Sequence, residues 1–279
     1  MKDLPLGVFD SGLGGLTVVR ALRRRLPAER ILYLGDTARV PYGTRSPDTI
    51  LRYARSCAAV LTKRGVKALV IACNTASAVA LEMLRAELDL PVIGVIDPGA
   101  HAAVTLAAEL AAKGDVRGAR VGVLGTARTI ASKAYTRAVG ALSTRLEVIG
   151  STAPLLVPLV EEGWIDGDVP RLAVERYVAP LVAAEVGIIV LGCTHYPLLK
   201  DTIAEAATRL AGRPVAVVDS AEATAEVVRE LLDSRGLAAS GTSSEPPLTL
   251  LVTDFPASFS AMTERCLGVG APEAVQIDI

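Results

Sequence analysis

Short apolar runs alternate along the chain with longer segments whose apolar residues recur at helical spacing. The runs are rich in Val and Ile, and several lack alternation of apolar and polar positions, which is typical of strands buried on both faces. The pattern predicts an α/β fold with mostly parallel sheets flanked by helices. The predicted strands are Leu6 to Phe9, Arg30 to Leu34, Ala68 to Ala72, Val92 to Ile96, Arg120 to Leu124, Leu146 to Ile149, Ile188 to Leu191, Val215 to Val218 and Leu248 to Val252.

Two local motifs each occur twice, at a spacing of about 115 to 120 residues. GVFDSGLGG, which begins at Gly7, aligns with GVLGTARTI, and ALVIACNTA aligns with IIVLGCTHY. This spacing suits a duplicated α/β domain. We therefore expect two pseudo-symmetric domains, each with a cysteine at the carboxyl end of a central strand where a helix begins. These cysteines are Cys73 and Cys193.

The order of the predicted elements suggests that the first domain is interrupted by the second. Residues 1–97 and 213–279 are expected to form the first domain, which carries Cys73, and residues 98–212 to form the second, which carries Cys193. The strands at Val215 and Leu248 are expected to return and complete the first domain.

Composition excludes several functional classes. Apolar residues make up 51% of the chain, yet no stretch of about 18 residues lacks a charge or a helix breaker, so we expect no membrane span. The start of the sequence has no apolar core of signal-peptide length, which predicts a cytoplasmic protein. A formal net charge of −1 gives no footprint for nucleic acid. The four cysteines form no CxxC or CxxH pair, so reduced thiols and no metal site are expected.

Polar residues gather where the predicted strands end. Ligands of parallel α/β sheets bind outside the carboxyl ends of the strands. If these ends of the two domains face each other, the active site lies in the cleft between them, and the two cysteines approach a shared ligand from opposite sides. The candidate residues at the strand ends are Asp10, Ser11, Asp36, Thr37, Cys73, Asn74, Thr75, Thr126, Cys193, Thr194 and His195.

Each candidate also has a structural interpretation. A single buried cysteine is commonly an apolar filler, but two cysteines followed by polar, helix-capping residues suggest sulfurs near helix N-termini, where a thiolate is favoured. His195 could shuttle a proton for Cys193 or simply bond a carbonyl. Asp10 could cap the turn SGLGG, or the N–H groups of that turn could bind an anion. Cys57 and Cys266 fall in helical patterns and are expected to be core residues.

Opposed thiols suit the inversion of an amino acid at its α-carbon, which needs a base on one face and an acid on the other. Many such enzymes use pyridoxal phosphate on a lysine. None of the lysines has such a setting in the sequence, which favours chemistry without that cofactor in a preorganised polar site.

Several motifs together resemble the cofactor-independent glutamate racemases of the aspartate/glutamate racemase superfamily. They are FDSGLGGLTV, GDTARVPYG, ACNTASA, GVIDPGA, PLVEEG, LGCTHYPLL and VVDSAEATA, and they cover nearly the whole chain. The resemblance implies that Cys73 is the base for D-glutamate and Cys193 the base for L-glutamate. It also implies that Asp10 assists Cys73, and that His195, with Glu161 behind it, assists Cys193; Glu162 remains an alternative to Glu161.

The resemblance also implies how the substrate is held. The α-carboxylate and ammonium are assigned to Asn74, Thr75 and Thr194, and the side-chain carboxylate to Ser11, Pro41, Tyr42 and Gly43. Thr126 is placed in the same pocket, and Asp36 is assigned to orient the substrate amine or Cys73. No cofactor or metal is implied, the expected partners are glutamate and a second copy of the chain in a homodimer, and the product D-glutamate would enter peptidoglycan synthesis.

One departure and three competing functions remain. Thr152-Ala153-Pro154 replaces a stretch in which family members often carry a cysteine, which affects local packing rather than the two thiols. A two-domain binding protein would share the architecture without needing the thiols. A relative acting on another acid would keep them and change the pocket around Tyr42 and Thr126. A dithiol redox protein would need the sulfurs within bonding distance.

Overall fold

The structure is a computed structural model, and it describes residues 2–114, 119–239, 241, 247–255, 259–268 and 270–279. The chain divides into two compact units. Unit 1 comprises Met1–Val95 and Ala221–Ile279, and unit 2 comprises Ile96–Ser220. The predicted class, two parallel-sheet α/β domains flanked by helices, is confirmed by the sheets described below.

Unit 1 is built on a six-stranded sheet with the order β10-β9-β2-β1-β3-β4, in which all the strand pairs are parallel. Every residue of β1, β2 and β3 is buried, which explains why these strands read as continuous apolar runs. The strands are β1 (Leu6–Asp10), β2 (Ile31–Gly35), β3 (Ala68–Ile71), β4 (Val92–Gly94), β9 (Leu248–Val252) and β10 (Ala274–Gln276), and the helices are α1 (Leu16–Arg25), α2 (Pro47–Lys63), α3 (Asn74–Glu87), α10 (Ser220–Ser234) and α11 (Phe259–Leu267). The first residue of α10, Ser220, belongs to unit 2.

Unit 2 is built on a four-stranded sheet with the order β6-β5-β7-β8, again with parallel pairs. Its strands are β5 (Arg120–Gly125), β6 (Glu147–Thr152), β7 (Ile188–Gly192) and β8 (Ala216–Asp219), and its helices are α4 (Ile96–Ala112), α5 (Ala127–Ala131), α6 (Ala134–Leu142), α7 (Leu156–Glu161), α8 (Asp168–Ala183) and α9 (Lys200–Ala211). The edge strands β6 and β8 are only partly buried, whereas the central strand β7 is fully buried.

The strand order repeats between the units. In unit 1 the first strand lies between the second and the third, with the fourth outside the third, and unit 2 has the same arrangement of β5, β6, β7 and β8. The two aligned motifs therefore occupy equivalent strands, β1 with β5 and β3 with β7.

The structure corrects the expected placement of the strand at Val215. This segment forms β8 and pairs with β7, with Ile188 opposite Ala216, so it belongs to unit 2 rather than to the first domain. As the equivalent of β4, it completes the second sheet. Of the two strands expected to return, only β9 joins the first sheet, where it pairs with β2. The short strand β10, which lies beside β9, was not predicted.

A buried ion pair lies just before two strands of unit 1. Lys67 and Glu29 form it, and their side chains are only 1% and 3% exposed. Lys67 Nζ also donates to the backbone carbonyls of Lys2 and Leu237, both at 2.8 Å. Glu29 accepts from the backbone N–H of Ala239 at 2.8 Å. The pair thus holds the start of the chain and the segment after α10 against the amino ends of β2 and β3.

None of the helices in the described part of the chain combines the length and apolar character needed to cross a membrane.

Candidate active site

In unit 1 the ends of two adjacent strands bring Asp10 and Cys73 to the same edge of the sheet. β1 and β3 pair in parallel, with Phe9 opposite Ile71. The N–H of Ala72 donates to the carbonyl of Phe9 at 2.9 Å, so the pairing continues to the residue before Cys73. Both predicted residues therefore lie at the carboxyl ends of central strands, where α/β proteins bind ligands.

Cys73 itself caps α3. Its sulfur accepts a hydrogen bond from the backbone N–H of Ala76 at 3.4 Å and lies 3.4 Å from Ser11 Oγ. The expected position of this cysteine at a helix N-terminus is confirmed. The cap is the cysteine rather than the polar residues after it, and Asn74 and Thr75 instead form the buried first turn of α3. A sulfur at a helix N-terminus is suited to carry negative charge.

The turn after β1 is shaped around the fully buried Asp10. The N–H of Gly12 donates to Asp10 Oδ2 at 3.0 Å, and Tyr33 donates its phenolic proton to the carbonyl of Gly12 at 2.7 Å. A Cβ at Gly15 would lie 2.4 Å from the Cβ of Asp10, so only glycine permits this close approach. The carboxylate thus organises the turn that carries Ser11.

The segment after β2 approaches the same edge through Asp36, whose N–H donates to the carbonyl of Asp10 at 3.0 Å. The Asp36 carboxylate is bound by side chains of the protein itself: Arg39, Tyr42 and Thr253 all donate to it. That Asp36 orients the substrate amine or Cys73 stays a prediction. Burial is the main cause of the raised pKa of Tyr42, so its hydroxyl remains a donor.

Two other members of the predicted loop differ in exposure. Pro41 is exposed and Gly43 is half-buried, while Tyr42 between them is fully buried. The side chain of Tyr42 therefore packs in the protein interior, and only the residues on either side of it are accessible to a ligand.

In unit 2 the strand β7 ends one residue before Cys193, which is 7% exposed. The expected helix does not begin there. A short 3-10 turn, Tyr196–Leu199, comes first, and α9 starts only at Lys200. Pro197 in the turn has no N–H to donate, which disfavours an α-helix beginning directly after Cys193. The repeat therefore keeps the strand-end cysteine but not the helix cap.

A chain of three side chains extends from the Cys193 sulfur. His195 Nδ1 lies 3.7 Å from that sulfur, and His195 Nε2 lies 3.0 Å from Glu161 Oε1 at the end of α7. Burial by itself would lower the pKa of His195, but the hydrogen bonds with Cys193 and Glu161 raise it from 6.5 to about 10. The imidazole therefore stays protonated at neutral pH, held between a sulfur and a carboxylate. Glu162, the alternative partner, is exposed.

Two threonines also lie at this edge of unit 2. β5 and β7 pair with Gly125 opposite Gly192, so Thr126 and Cys193 follow adjacent strand ends. The Thr126 hydroxyl caps α5, accepting from the N–H of Thr129 at 3.3 Å. Thr194 is buried directly after Cys193.

Three residues that organise these strand ends were missed by the sequence analysis. Tyr196 donates to the carbonyl of Ala153 at 2.7 Å and so fixes the segment that leads into α7. Arg39 and Thr253 bind Asp36. A tyrosine inside the motif THYP was a usable signal, because a buried hydroxyl needs a partner. Thr253 gave no such signal, since its partner is 217 positions away in the sequence.

The remaining thiols behave as expected for core residues. Cys57 in α2 and Cys266 in α11 are buried, and burial raises their pKa values to about 12 and about 11. Both are therefore neutral at physiological pH. Within the described residues, no group of three or more His, Cys, Asp or Glu side chains is arranged to hold a metal ion.

The chain thus has two parallel-sheet α/β units, each with a thiol after its third strand, and this architecture is shared with a known family of enzymes. A family model described as Asp/Glu/Hydantoin racemase matches residues 13–228. The chain belongs to this racemase family, and is therefore an isomerase.

Within this family, the chain is similar to proteins named glutamate racemase. The chain is 46% identical over 278 residues to the glutamate racemase of Syntrophus aciditrophicus, covering 99% of this chain and 97% of the relative. It is 45% identical over 274 residues to that of Geobacter metallireducens, covering 98% and 96%. The crystal structure of the Francisella tularensis glutamate racemase in complex with D-glutamate aligns with a TM-score of 0.87 at 33% identity, covering 100% of this chain and 98% of that one.

Proposed function

We propose that this protein interconverts L- and D-glutamate without a cofactor, with Cys73 and Cys193 acting on opposite faces of one α-carbon. The observation that carries the proposal is the pair of thiols at equivalent strand ends, one beside Ser11 Oγ and the other beside His195. The family match and the names of the relatives support glutamate as the substrate.

In the proposed reaction the Cys73 thiolate removes the α-proton of D-glutamate. The C–H bond breaks, its electron pair stays on the α-carbon, and the proton forms an S–H bond on Cys73. The Cys193 thiol then gives its proton to the opposite face, which produces L-glutamate and a Cys193 thiolate. The reverse reaction exchanges these roles, so each turnover leaves the two thiols with their protonation states exchanged.

Neighbouring groups are proposed to support each thiol. Asp10 shapes the turn that brings Ser11 to Cys73 and is assigned to assist that thiol. His195 is assigned to exchange protons with Cys193, because it lies 3.7 Å from the sulfur and is oriented on its other side by Glu161. An imidazole held in this way is a suitable proton carrier.

The carbanion-like transition state needs donors for the α-carboxylate. Asn74, Thr75 and Thr194 are assigned to the α-carboxylate and ammonium, and Thr126 is placed in the same pocket. The first turn of α3 adds a positive dipole end near Cys73, which favours negative charge on the substrate. Ser11 and the backbone of Pro41–Gly43 are assigned to the side-chain carboxylate.

The resemblance to glutamate racemases also supports a proposed cellular role. D-Glutamate made in the cytoplasm would supply peptidoglycan synthesis. The expected homodimer stays a prediction, which sedimentation velocity on the purified chain would check.

The first test is α-proton exchange in heavy water, with L-glutamate, D-glutamate and L-aspartate supplied separately and without pyridoxal phosphate or metal. We expect both glutamate enantiomers to invert and the product to acquire deuterium, while unreacted substrate keeps its protium at early times. Two different bases give this asymmetry, because each face exchanges through its own thiol. Rapid inversion of aspartate in place of glutamate would refute the proposed substrate.

Variants of the thiols test the mechanism. Cys73→Ser and Cys193→Ser should each reduce racemisation by at least about 10³-fold, since a hydroxyl is a far weaker acid than a thiol and its anion is not populated at neutral pH. Cys266→Ala is the matched control, because that thiol is buried in α11 and is assigned no role in the reaction, and it should retain activity. Full activity in either Ser variant would show that the two-base mechanism is wrong.

A further inference from the structure

The carboxylate of Asp36 is fully buried and accepts hydrogen bonds from three side chains of the protein. Its Oδ1 lies 2.9 Å from Arg39 Nε and 3.1 Å from Thr253 Oγ1. Its Oδ2 lies 2.7 Å from Arg39 Nε and accepts the phenolic proton of Tyr42. Both oxygens therefore have partners within the chain, and the negative charge is balanced by the Arg39 guanidinium.

Arg39 is held from its other side as well. Its guanidinium carbon lies 4.4 Å from the centroid of the Tyr53 ring, and Nη2 lies 3.8 Å from Cys57 Sγ. The Tyr53 ring also packs against Tyr42, with centroids 5.5 Å apart. With only 20% of its side chain exposed, Arg39 is fixed between α2 and the carboxylate rather than free to follow a ligand.

Thr253 connects this cluster to the end of β9. Its hydroxyl accepts from the backbone N–H of Ala38 at 2.8 Å and donates to Asp36 Oδ1, while its own N–H donates to the carbonyl of Gly35 at 3.1 Å. A second link lies beside it, since Thr37 Oγ1 accepts from the N–H of Asp254 at 2.8 Å. The segment after β2 is thus fastened to residues 217 positions later in the chain.

These contacts surround the segment that we assigned to the side-chain carboxylate of the substrate. Asp36 and Arg39 lie just before Pro41 in the chain, and Tyr42 is fixed by its hydroxyl, so the backbone between them has little freedom. Backbone donors bind an anion well only when their geometry is already set, because ordering them on binding costs free energy.

We propose that Arg39 and Thr253 are positioning residues that, by binding the buried Asp36 carboxylate, fix the Pro41–Gly43 backbone for the side-chain carboxylate of glutamate. In this role Asp36 contacts neither the substrate amine nor Cys73. The inference rests on the proposed function. It predicts that loss of the cluster weakens substrate binding and leaves the proton transfers nearly unchanged.

The test is Thr253→Val, which keeps the shape of the side chain and removes both hydrogen bonds of the hydroxyl. KM for L- and D-glutamate should rise about 10- to 150-fold, the effect of losing one hydrogen bond to a charged group, while kcat stays within about threefold. Thr253→Ser is the matched control, because it restores the hydroxyl and should restore KM to within about twofold. Circular dichroism verifies that both variants are folded.

Arg39→Lys gives the same measurement if Thr253→Val does not fold, since Lys keeps the charge and loses the planar donor group. An unchanged KM in a folded variant would overturn the inference. A fall in kcat at unchanged KM would also overturn it, because Asp36 would then act at the reacting atoms. If the wild-type protein does not invert glutamate, both the proposed function and this inference are wrong. If the wild-type protein turns over normally and Thr253→Val has a normal KM, only the inference is wrong.

Discussion

Replacing Glu161 with Gln should lower the pKa of His195, because the change removes the negative charge that faces the imidazole. Burial alone would lower that pKa, and the hydrogen bonds with Cys193 and Glu161 together raise it from 6.5 to about 10. The Glu161 side chain is 38% exposed, so solvent screens part of its effect. A facing charge shifts a pKa by about 1 to 3, and we expect the screened loss to lower the pKa of His195 by about 1 to 2.

The same contacts make folding stability depend on pH. The rise of the His195 pKa from 6.5 to about 10 on folding corresponds to roughly 5 kcal/mol, at about 1.36 kcal/mol per pH unit. Because the pKa is raised in the folded state, this contribution is fully present below pH 6.5 and is lost as the pH rises through about 10. In Glu161→Gln, the folding stability that is lost as the pH rises should be smaller by about 1 to 3 kcal/mol.

Nuclear magnetic resonance of histidine labelled with nitrogen-15 measures the pKa directly. The chain has two histidines, and the variant His101→Gln assigns their signals. Glu162→Gln is the matched control and should leave the pKa of His195 unchanged. The reasoning is refuted if wild-type His195 titrates at or below pH 6.5, or if the Glu161 and Glu162 variants give the same pKa.

Three further predictions concern stability, each measured by urea unfolding. Tyr196→Phe removes a buried 2.7 Å hydrogen bond to a backbone carbonyl and should cost about 1 to 2 kcal/mol; a cost below about 0.3 kcal/mol would contradict this. Gly15→Ala should cost about 2 kcal/mol or more, because the new Cβ would lie 2.4 Å from the Cβ of Asp10. Gly140→Ala in α6, whose new Cβ meets nothing within 4 Å, should instead stabilise the protein. Equal effects of the two changes would count against the packing argument. Lys67→Met leaves Glu29 charged in the core and should cost about 3 to 5 kcal/mol, most of which Lys67→Met combined with Glu29→Leu should recover; no recovery would show that the ion pair itself is needed.

Much of the fold could be predicted from local sequence. Strands such as β1, β2, β3 and β7 are buried on both faces, so their residues must be apolar throughout and the runs are visible without any tertiary information. The internal repeat also predicted the position of the two cysteines, because equivalent strands end at equivalent points of the chain. β10 was missed because it is three residues long and largely exposed, which leaves little pattern to detect.

The candidate site was predictable only in part. The sequence placed Cys73 and Cys193 at strand ends because that position depends on local pattern. It could not decide between Glu161 and Glu162, since adjacent helical residues differ only in the direction that each side chain takes. The structure brings Glu161 to 3.0 Å from His195 and leaves Glu162 exposed.

The sequence by itself thus determined the elements, the repeat and the residue types at the strand ends, since each depends on neighbours in the chain. Only the tertiary structure decided that β8 joins the second sheet, because a partly buried edge strand is compatible with either sheet until its hydrogen-bond partner is known. Only the tertiary structure, too, gave the Asp36 carboxylate its partner Thr253, which lies 217 positions away. Contacts across such distances are set by how the strands pack, and no local pattern of residues encodes them.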